Sequence, residues 1–303
     1  MRPQILVIGG TGYLGKKIIE QLLKHDVSIR ALVRPGSDAS DLEQKGVQVF
    51  RGDLTKPETL LAPLQGVDAV ITSAIGYSKR KKGDSLASVD DIGNRNLVDA
   101  ASAMKIPRFV FTGILTADKA RSVPHFWQKK LIEDYLEQKG VPFVSLRPGA
   151  FLDQNPKWDF WASGLKKGKL SVLGSTKAKW SLILTDDLAK FLVKAAIDPK
   201  VPFGLIDVGM DEPMNAEMLV KFASEYTGQT IKLSSMPWSV MGIIFGLAGL
   251  FNPAMSDMKQ MMNYFFSGQY VADTSMQMKV FGEVPTLKDS LFRYFESIEL
   301  KKK

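Results

Sequence analysis

Short apolar runs alternate with amphipathic segments along the first half of the chain. Runs typical of strands lie at 4–8, 27–33, 47–50, 69–73, 108–111 and 143–146. Segments with apolar residues at helical spacing lie between them, at 16–24, 38–44, 59–64, 92–104 and 128–138. Strands that alternate with helices in this way pair in parallel through right-handed crossovers. The pattern therefore predicts an α/β fold with a doubly wound parallel sheet.

The pattern is less regular beyond residue 149, where helices are predicted at 186–196 and 287–298. We expect two domains, with residues 1–155 holding the sheet and residues 156–303 forming a smaller C-terminal substrate lobe on its carboxyl edge. Some elements of the lobe are expected to return to the first domain. Aromatic residues that could line an apolar pocket there, although each is more often a core residue, are Trp158, Trp161, Trp238 and Phe245.

An uncharged stretch covers residues 233–256, and its most apolar part is 238–251. A membrane-spanning helix needs about 20 predominantly apolar residues, so this part is too short for a span. A buried helix or a lid over an apolar pocket is the favoured interpretation. Contact with a membrane surface or a protein partner through 233–256 is the alternative.

The composition is that of a soluble globular protein, with 45% hydrophobic and 24% charged residues. The chain has no cysteine, which excludes disulfides and thiolate ligands. It has only two histidines and no clustered carboxylates, so no metal site is predicted. The N-terminus lacks the pattern of a signal peptide, so a cytoplasmic location is expected. Oligomeric state is left open.

The formal net charge is +8, and a basic run lies at 79–82. A positive field could attract nucleic acid, an anionic membrane or a phosphorylated ligand. A solvated basic surface is the favoured interpretation. Because no nucleic-acid-binding motif accompanies the run, we expect no nucleic-acid partner.

The turn after the first strand carries the most specific motif. Three glycines, Gly9, Gly12 and Gly15, are spaced three residues apart between a strand and a helix. Glycine lets the backbone turn sharply and approach a ligand, and the N–H groups at the helix start can bind a pyrophosphate. The motif predicts a Rossmann-type dinucleotide site at a loop comprising Gly9, Gly10, Thr11, Gly12, Tyr13, Leu14 and Gly15.

The end of the second strand indicates which dinucleotide is bound. An acidic residue there favours NAD, whereas a basic residue accommodates the 2′-phosphate of NADP. Here the strand is followed by Arg34, and Ser37 could add a hydroxyl, so NADP(H) is predicted. Alternatively, Arg34 is a solvated surface arginine. Asp53 and Leu54 follow the third strand and are predicted to meet the adenine. This interpretation is favoured over the alternative that Asp53 is a plain turn residue.

Several motifs together resemble the atypical, extended-type short-chain dehydrogenase/reductase superfamily, and within it the NmrA-like and isoflavone-reductase-like branch. The resemblance covers residues 4–155 well and the rest loosely. The matching segments are the glycine loop 9–15, Leu32-Val33-Arg34, Gly52-Asp53-Leu54, the helix 93–101 and the stretch 146–151.

The resemblance implies a catalytic Tyr-x-x-x-Lys pair and a serine or threonine after the fifth strand. In this chain Lys129 matches the lysine and His125 stands at the tyrosine position. Gly113 and Ile114 replace the usual serine pair, which leaves Thr112 as the hydroxyl residue nearby. Lys129 is expected to bind the nicotinamide ribose and to act in proton transfer, rather than being a surface lysine. His125 is either a proton donor or a residue that packs at the helix start.

Two further groups of residues are assigned by the resemblance alone. Ser73, Ala74 and Ile75 would lie along the dinucleotide, and Pro148 and Phe151 would lie against the nicotinamide. Two functions remain open. One is an NADPH-dependent reductase that transfers hydride to a carbonyl, quinone or activated double bond of an apolar small molecule. The other is a non-catalytic NADP(H)-binding redox sensor or assembly factor, suggested by the absent tyrosine and serine.

Overall fold

The computed structural model describes residues 2–76, 84–153 and 160–302. Its strands are β1 (Gln4–Ile8), β2 (Ser28–Val33), β3 (Gln48–Arg51), β4 (Ala69–Thr72), β5 (Phe109–Thr112), β6 (Phe143–Pro148), β7 (Ala150–Phe151), β8 (Lys169–Leu173), β9 (Leu182–Ile183), β10 (Gly204–Val208) and β11 (Lys232–Met236).

The α-helices are α1 (Tyr13–Leu22), α2 (Ser40–Gln44), α3 (Leu61–Leu64), α4 (Asn94–Ala103), α5 (Pro124–Gln138), α6 (Phe160–Lys166), α7 (Thr185–Ile197), α8 (Ala216–Thr227), α9 (Trp238–Gly249), α10 (Pro253–Phe266), α11 (Ser275–Phe281) and α12 (Leu287–Ser297). A 3₁₀ turn at Pro57–Thr59 precedes α3, and a π-helix at Leu86–Gly93 leads into α4.

Seven strands form one sheet in the order β10-β6-β5-β4-β1-β2-β3. The strand pairs from β3 through to β6 run in parallel. Every residue of β4 and β5 is buried, as expected for strands covered by helices on both faces. The predicted α/β fold with a doubly wound sheet is confirmed. The strand order reverses between β1 and β4, which is where ligands bind in such sheets.

The chain divides into two compact units that are interleaved along the sequence. The first consists of Met1–Ala117, His125–Arg147 and Asp186–Ile206. Within this unit, Arg108 donates hydrogen bonds to the carbonyl oxygens of Ala195, at 3.0 Å, and Val201, at 3.1 Å. Those bonds tie the returning segment 186–206 to the start of β5.

The second unit consists of Asp118–Pro124, Pro148–Thr185 and Asp207–Lys303. It contains two small parallel sheets, β8 with β11 and β7 with β9. Its core lies between α8 and α12 and the strands, and fully buried members include Leu219, Leu291, Tyr294 and Phe295. Trp161 is partly buried against that core.

The most apolar part of the uncharged stretch forms α9, but the expectation that this helix is buried is wrong. Ile243 is 64% exposed and Leu247 60%, and just after the helix Phe251 is 91% exposed. The glycines of α9 explain this orientation. A Cβ at Gly246 would lie 2.9 Å from Lys259 Nζ, and one at Gly249 would lie 3.1 Å from Ser256 Cβ, both on α10. The small residues therefore face α10, which leaves the bulky apolar residues in solvent.

In the part of the chain that the structure describes, none of the helices combines enough length and apolar character to cross a membrane.

Candidate functional site

The turn between β1 and α1 is built to bring backbone close to a ligand. Gly9 has a φ of +85°, a conformation that favours glycine, and Gly12 N donates to Gly9 O at 2.9 Å. A Cβ at Gly15 would lie 2.0 Å from Gly9 O, so only glycine allows this approach. Among the described residues no side chain caps α1. The N–H groups at its start are therefore available to an anion.

A pocket opens beside this turn at the carboxyl ends of β1 to β4, and all of it belongs to the first unit. Its lining residues are Ile8, Gly9, Thr11, Gly12, Leu32, Arg34, Gly52, Asp53, Leu54, Ser73, Ala74, Ile75 and Val89. Nine predicted cofactor-binding residues, from four separate segments, are thus brought together. Gly10, Tyr13, Leu14 and Gly15 form the turn and the start of α1 without lining the pocket.

Another concave surface in the first unit lies between α1 and α7, where Gln21, His25, Lys190 and Lys194 contribute to it. None of the predicted site residues lines that surface. The pocket at the glycine loop is therefore the better candidate site.

Arg34 enters the pocket from the end of β2 and forms an ion pair there. Its Nη1 donates to Asp84 Oδ1 at 2.6 Å, and the two side chains are 30% and 8% exposed, respectively. Arg34 is thus positioned by a carboxylate rather than free in solvent. Asp84 is a residue that the sequence analysis did not single out.

Asp53 lines the pocket but also stabilises its own turn. Its Oδ1 accepts from Thr55 N at 2.9 Å and from Thr55 Oγ1 at 2.8 Å. Leu54, next to it, is buried at the pocket wall. Ser37 lies outside the lining, and its carbonyl oxygen accepts from Arg51 Nη1 at 2.6 Å. The guanidinium of Arg51 therefore lies at the turn between β2 and α2, as a second cation in addition to Arg34.

The segment after β4 packs directly against the glycine loop. A Cβ at Gly9 would lie 3.3 Å from the backbone nitrogen of Ala74 and 3.0 Å from Ser73 Oγ, so the two segments are in close contact. Further along, Gly76 N donates to Asp90 Oδ2 at 2.8 Å. Asp90 lies in the π-helix and is only 3% exposed, so it fixes this segment from the interior.

Lys129 is a buried lysine on α5, with 8% of its surface exposed. Its Nζ lies 4.8 Å from the centroid of the Phe111 ring in β5. Burial lowers the pKa of Lys129 below its ordinary value, while the carboxylates of Asp90 and Glu133 act in the opposite direction. The net effect favours release of its proton. The neighbouring Lys130 lies on the helix surface and pairs with Asp134.

A buried polar cluster follows β5, at the position where the resemblance places a serine. Glu133 accepts hydrogen bonds from Ser145 Oγ at 2.6 Å and from Arg147 Nε at 3.0 Å. A Cβ at Gly113 would lie 2.6 Å from Ser145 Oγ and 2.8 Å from Glu133 Oε1. The cluster therefore explains why glycine stands there.

The hydroxyl of Thr112, the residue before that glycine, has no hydrogen-bond partner within the described parts of the chain, although it is buried. An unsatisfied buried hydroxyl costs free energy unless a ligand or water pairs with it. Thr112 Oγ1 is therefore a candidate ligand contact at the end of β5.

His125 lies in the first turn of α5, with its ring 4.7 Å from that of Phe126 in an edge-to-face arrangement. The ring is half-buried, so its environment fits a packing residue as well as a proton donor. Pro148 and Phe151 belong to the second unit, where Tyr270 Oη donates to Pro148 O at 3.3 Å.

Some residues named from the sequence lie outside the described residues, namely Trp158 and the basic run 79–82. Of the other aromatic candidates, Trp238 donates from Nε1 to Asn263 Oδ1 at 2.8 Å, within the pair of helices α9 and α10. Its ring lies 5.9 Å from that of Phe245.

No cluster of side chains suited to a metal ion occurs in the described ranges 2–76, 84–153 and 160–302. The acidic residues that matter at the site, Asp84, Asp90 and Glu133, instead pair with cations or backbone. Their types and spacing carry no motif, so only the fold could identify them.

A sequence model of the NmrA-like family matches residues 1–283. Among curated relatives, the photosystem II assembly factor Ycf39 of Synechocystis sp. is 27% identical, over 99% of this chain and 93% of that protein. The protein of the same name from Trieres chinensis is 27% identical, over 82% of this chain and 76% of that protein.

Among solved structures, an NADPH-dependent quinone oxidoreductase from Escherichia coli, complexed with NADPH, matches with a TM-score of 0.77 at 21% identity. The match covers 96% of this chain and 99% of that one. At this level of identity, the likeness is one of fold.

Proposed function

This chain belongs to the NmrA-like family, and from that premise we propose that it is an NADPH-dependent reductase. Its substrate is a carbonyl, quinone or activated double bond of an apolar small molecule. The observation that carries the proposal is Lys129, a buried cation whose pKa is lowered by burial and which lies beside β5 in the unit that holds the glycine loop.

The pocket at the glycine loop fits a dinucleotide with a 2′-phosphate. The glycine backbone would hold the pyrophosphate, because its N–H groups are uncapped and a Cβ would fill the approach. Arg34 would hold the 2′-phosphate, because it is the one cation among the lining residues that the structure describes. When bound, NADPH supplies the hydride.

The remaining chemistry is proton transfer by this chain's own side chains. Lys129 Nζ holds a proton that burial makes easier to release, so it is suited to protonate a substrate oxygen. Thr112 Oγ1, which is buried without a partner in the described structure, would hydrogen-bond to the ribose or the substrate. His125 is the second proton-donor candidate.

The experiment combines binding with turnover. NADPH and NADH are titrated into the purified protein by calorimetry, and NADPH oxidation is then followed with a panel of quinones and carbonyls. We expect Lys129→Met to lower kcat about a hundredfold. The matched control is Lys130→Met, on the same helix, which should leave kcat unchanged. Failure to bind NADPH, or equal turnover in the two variants, would contradict the proposal.

A second candidate is a non-catalytic NADP(H)-binding assembly factor that recruits a protein partner. Two observations favour it: the curated relatives above are named assembly factors, and α9 exposes bulky apolar residues. Tight NADPH binding with no turnover by any compound of the panel would favour this candidate over the reductase.

A further inference from the structure

We propose that Asp84 tunes the cofactor preference of the pocket by competing with the 2′-phosphate of NADPH for Arg34. The inference rests on the proposed function, because it concerns the same dinucleotide pocket. It predicts that the protein discriminates between NADPH and NADH less strongly than its arginine alone would allow.

The first step is the geometry of the ion pair. Arg34 Nη1 and Asp84 Oδ1 are 2.6 Å apart, and the carboxylate is 8% exposed while the guanidinium, which lines the pocket, is 30% exposed. The carboxylate thus approaches Arg34 from the protein side. A ligand in the pocket meets a cation that is already paired.

The second step is that the backbone holds Asp84 in place. The next residue, Ser85, caps the π-helix: its Oγ accepts from Ser88 N at 3.0 Å, and its N donates to Ser88 Oγ at 3.0 Å. A Cβ at Gly76 would lie 2.5 Å from Ser85 O, so this cap is packed against the segment after β4. The backbone that carries Asp84 is therefore anchored to the start of the π-helix, which keeps the carboxylate close to Arg34.

The third step is electrostatic. A phosphate monoester carries a charge of about −2 near neutral pH. Placed on Arg34, it would share that cation with the carboxylate of Asp84 and be repelled by it, in a partly buried site where screening by water is reduced. NADH has no 2′-phosphate, so its binding leaves the Arg34–Asp84 pair intact. The repulsion by Asp84 therefore weakens the binding of NADPH and not that of NADH.

The test is the isosteric variant Asp84→Asn, which keeps an oxygen to accept from Arg34 and removes the negative charge. We expect the Kd for NADPH to fall about tenfold, with a change of less than about twofold for NADH. The gain should shrink as salt concentration rises, because a charge is being removed. Asp26→Asn is the control, since Asp26 forms a 2.6 Å pair with Arg2 that is largely exposed and does not line the pocket.

A double-mutant cycle with Arg34→Gln tests whether the effect passes through the arginine. Competition requires that Asp84→Asn improve NADPH binding less in the Arg34→Gln protein than in the wild type. An equal gain in both backgrounds, or unchanged or weaker NADPH binding by Asp84→Asn, would overturn the inference and leave the proposed function standing. Absence of NADPH binding to both wild type and Asp84→Asn would overturn the two together.

Discussion

The ion pair between Glu133 and Arg147 is buried between α5 and β6. Glu133 is 2% exposed and Arg147 7%, and the pair is bidentate, with Ser145 Oγ as a third partner. Breaking such a pair by removing one charge leaves the other uncompensated in a poorly solvated place. The cluster therefore matters for stability, and through Gly113 it also determines which residue can follow Thr112.

Removing the charge of Glu133 tests this role. We expect Glu133→Gln to lower the free energy of unfolding by about 3–5 kcal/mol, because Arg147 loses a buried counter-ion. The measurement is urea unfolding followed by circular dichroism. Asp134→Asn is the control: the neighbouring carboxylate pairs with Lys130 at the surface, so its loss should change stability by at most about 1 kcal/mol. Equal losses in the two variants would contradict the assignment.

Lys129 should make stability depend on pH in the alkaline range. Its pKa in the folded protein lies below the ordinary value of 10.5, so between the two values the unfolded chain binds more protons than the folded chain. Stability contributed by this residue therefore rises as pH increases through that window and reaches its full value above 10.5. Compared with Lys129→Met, the wild type should gain free energy of unfolding from pH 7 towards pH 10.5, as measured by urea unfolding. A difference that stays constant with pH would contradict the lowered pKa.

At the scale of elements, the six strands of the first half could be predicted because each contains a short apolar run between turn residues. The central strands β1, β4 and β5 are almost wholly buried, whereas the edge strand β3 is not. The π-helix at Leu86–Gly93 could not, because it depends on contacts rather than on pattern. Asn94 Nδ2 donates to the carbonyl oxygens of Val89 and Asp90, both at 3.1 Å, and Asp90 binds Gly76 N. The bond from Gly76 joins segments whose proximity emerges only in the fold. Asp90 in turn acts on the pKa of Lys129.

The glycines of α9 differ in the space around them, which gives an internal comparison. A Cβ at Gly242 would make ordinary contacts, the nearest atom being 3.6 Å away in Trp238, whereas one at Gly249 would lie 3.2 Å from the backbone of Ser256. Gly242→Ala should therefore raise stability by about 0.5–1 kcal/mol through helix propensity. Gly249→Ala should raise stability less than Gly242→Ala does, or lower it, because the new Cβ would press on the backbone of Ser256. The test is the thermal unfolding temperature of the two variants compared with the wild type. An equal increase in both would show that α9 does not pack on α10 through Gly249.

At the scale of the whole molecule, the glycine loop and Arg34 could be predicted because their motif is local. The partners that decide their chemistry could not, because Asp84, Asp90 and Glu133 reach the site from distant segments. The orientation of α9 could not be predicted from the sequence either. Its apolar composition indicates a buried helix, whereas in the structure the face with Gly246 and Gly249 packs against α10 and the bulky side chains are exposed.

The exposed apolar face of α9 should dominate the binding of hydrophobic probes to the protein. We expect the double variant Ile243→Gln/Leu247→Gln to reduce fluorescence of bound anilinonaphthalene sulfonate about twofold, because it removes two exposed apolar side chains four residues apart on the same face of α9. The control is Leu23→Gln/Leu61→Gln, at scattered sites in the first unit that are 43% and 49% exposed. An equal decrease in both proteins would show that the dye does not recognise this face.

Because the two units are interleaved along the sequence, truncating the chain after its first part would not produce a complete first unit. A fragment ending at residue 155 would lack the returning segment 186–206, and with it most of α7 and the start of β10. Its sheet would stop at β6, leaving an unpaired edge with a row of open hydrogen-bonding groups, which is a template for aggregation. Arg108 would also lose both of its carbonyl acceptors. A minimal dinucleotide-binding fragment would therefore have to graft 186–206 back onto the first part of the chain, for example through a short linker after residue 147.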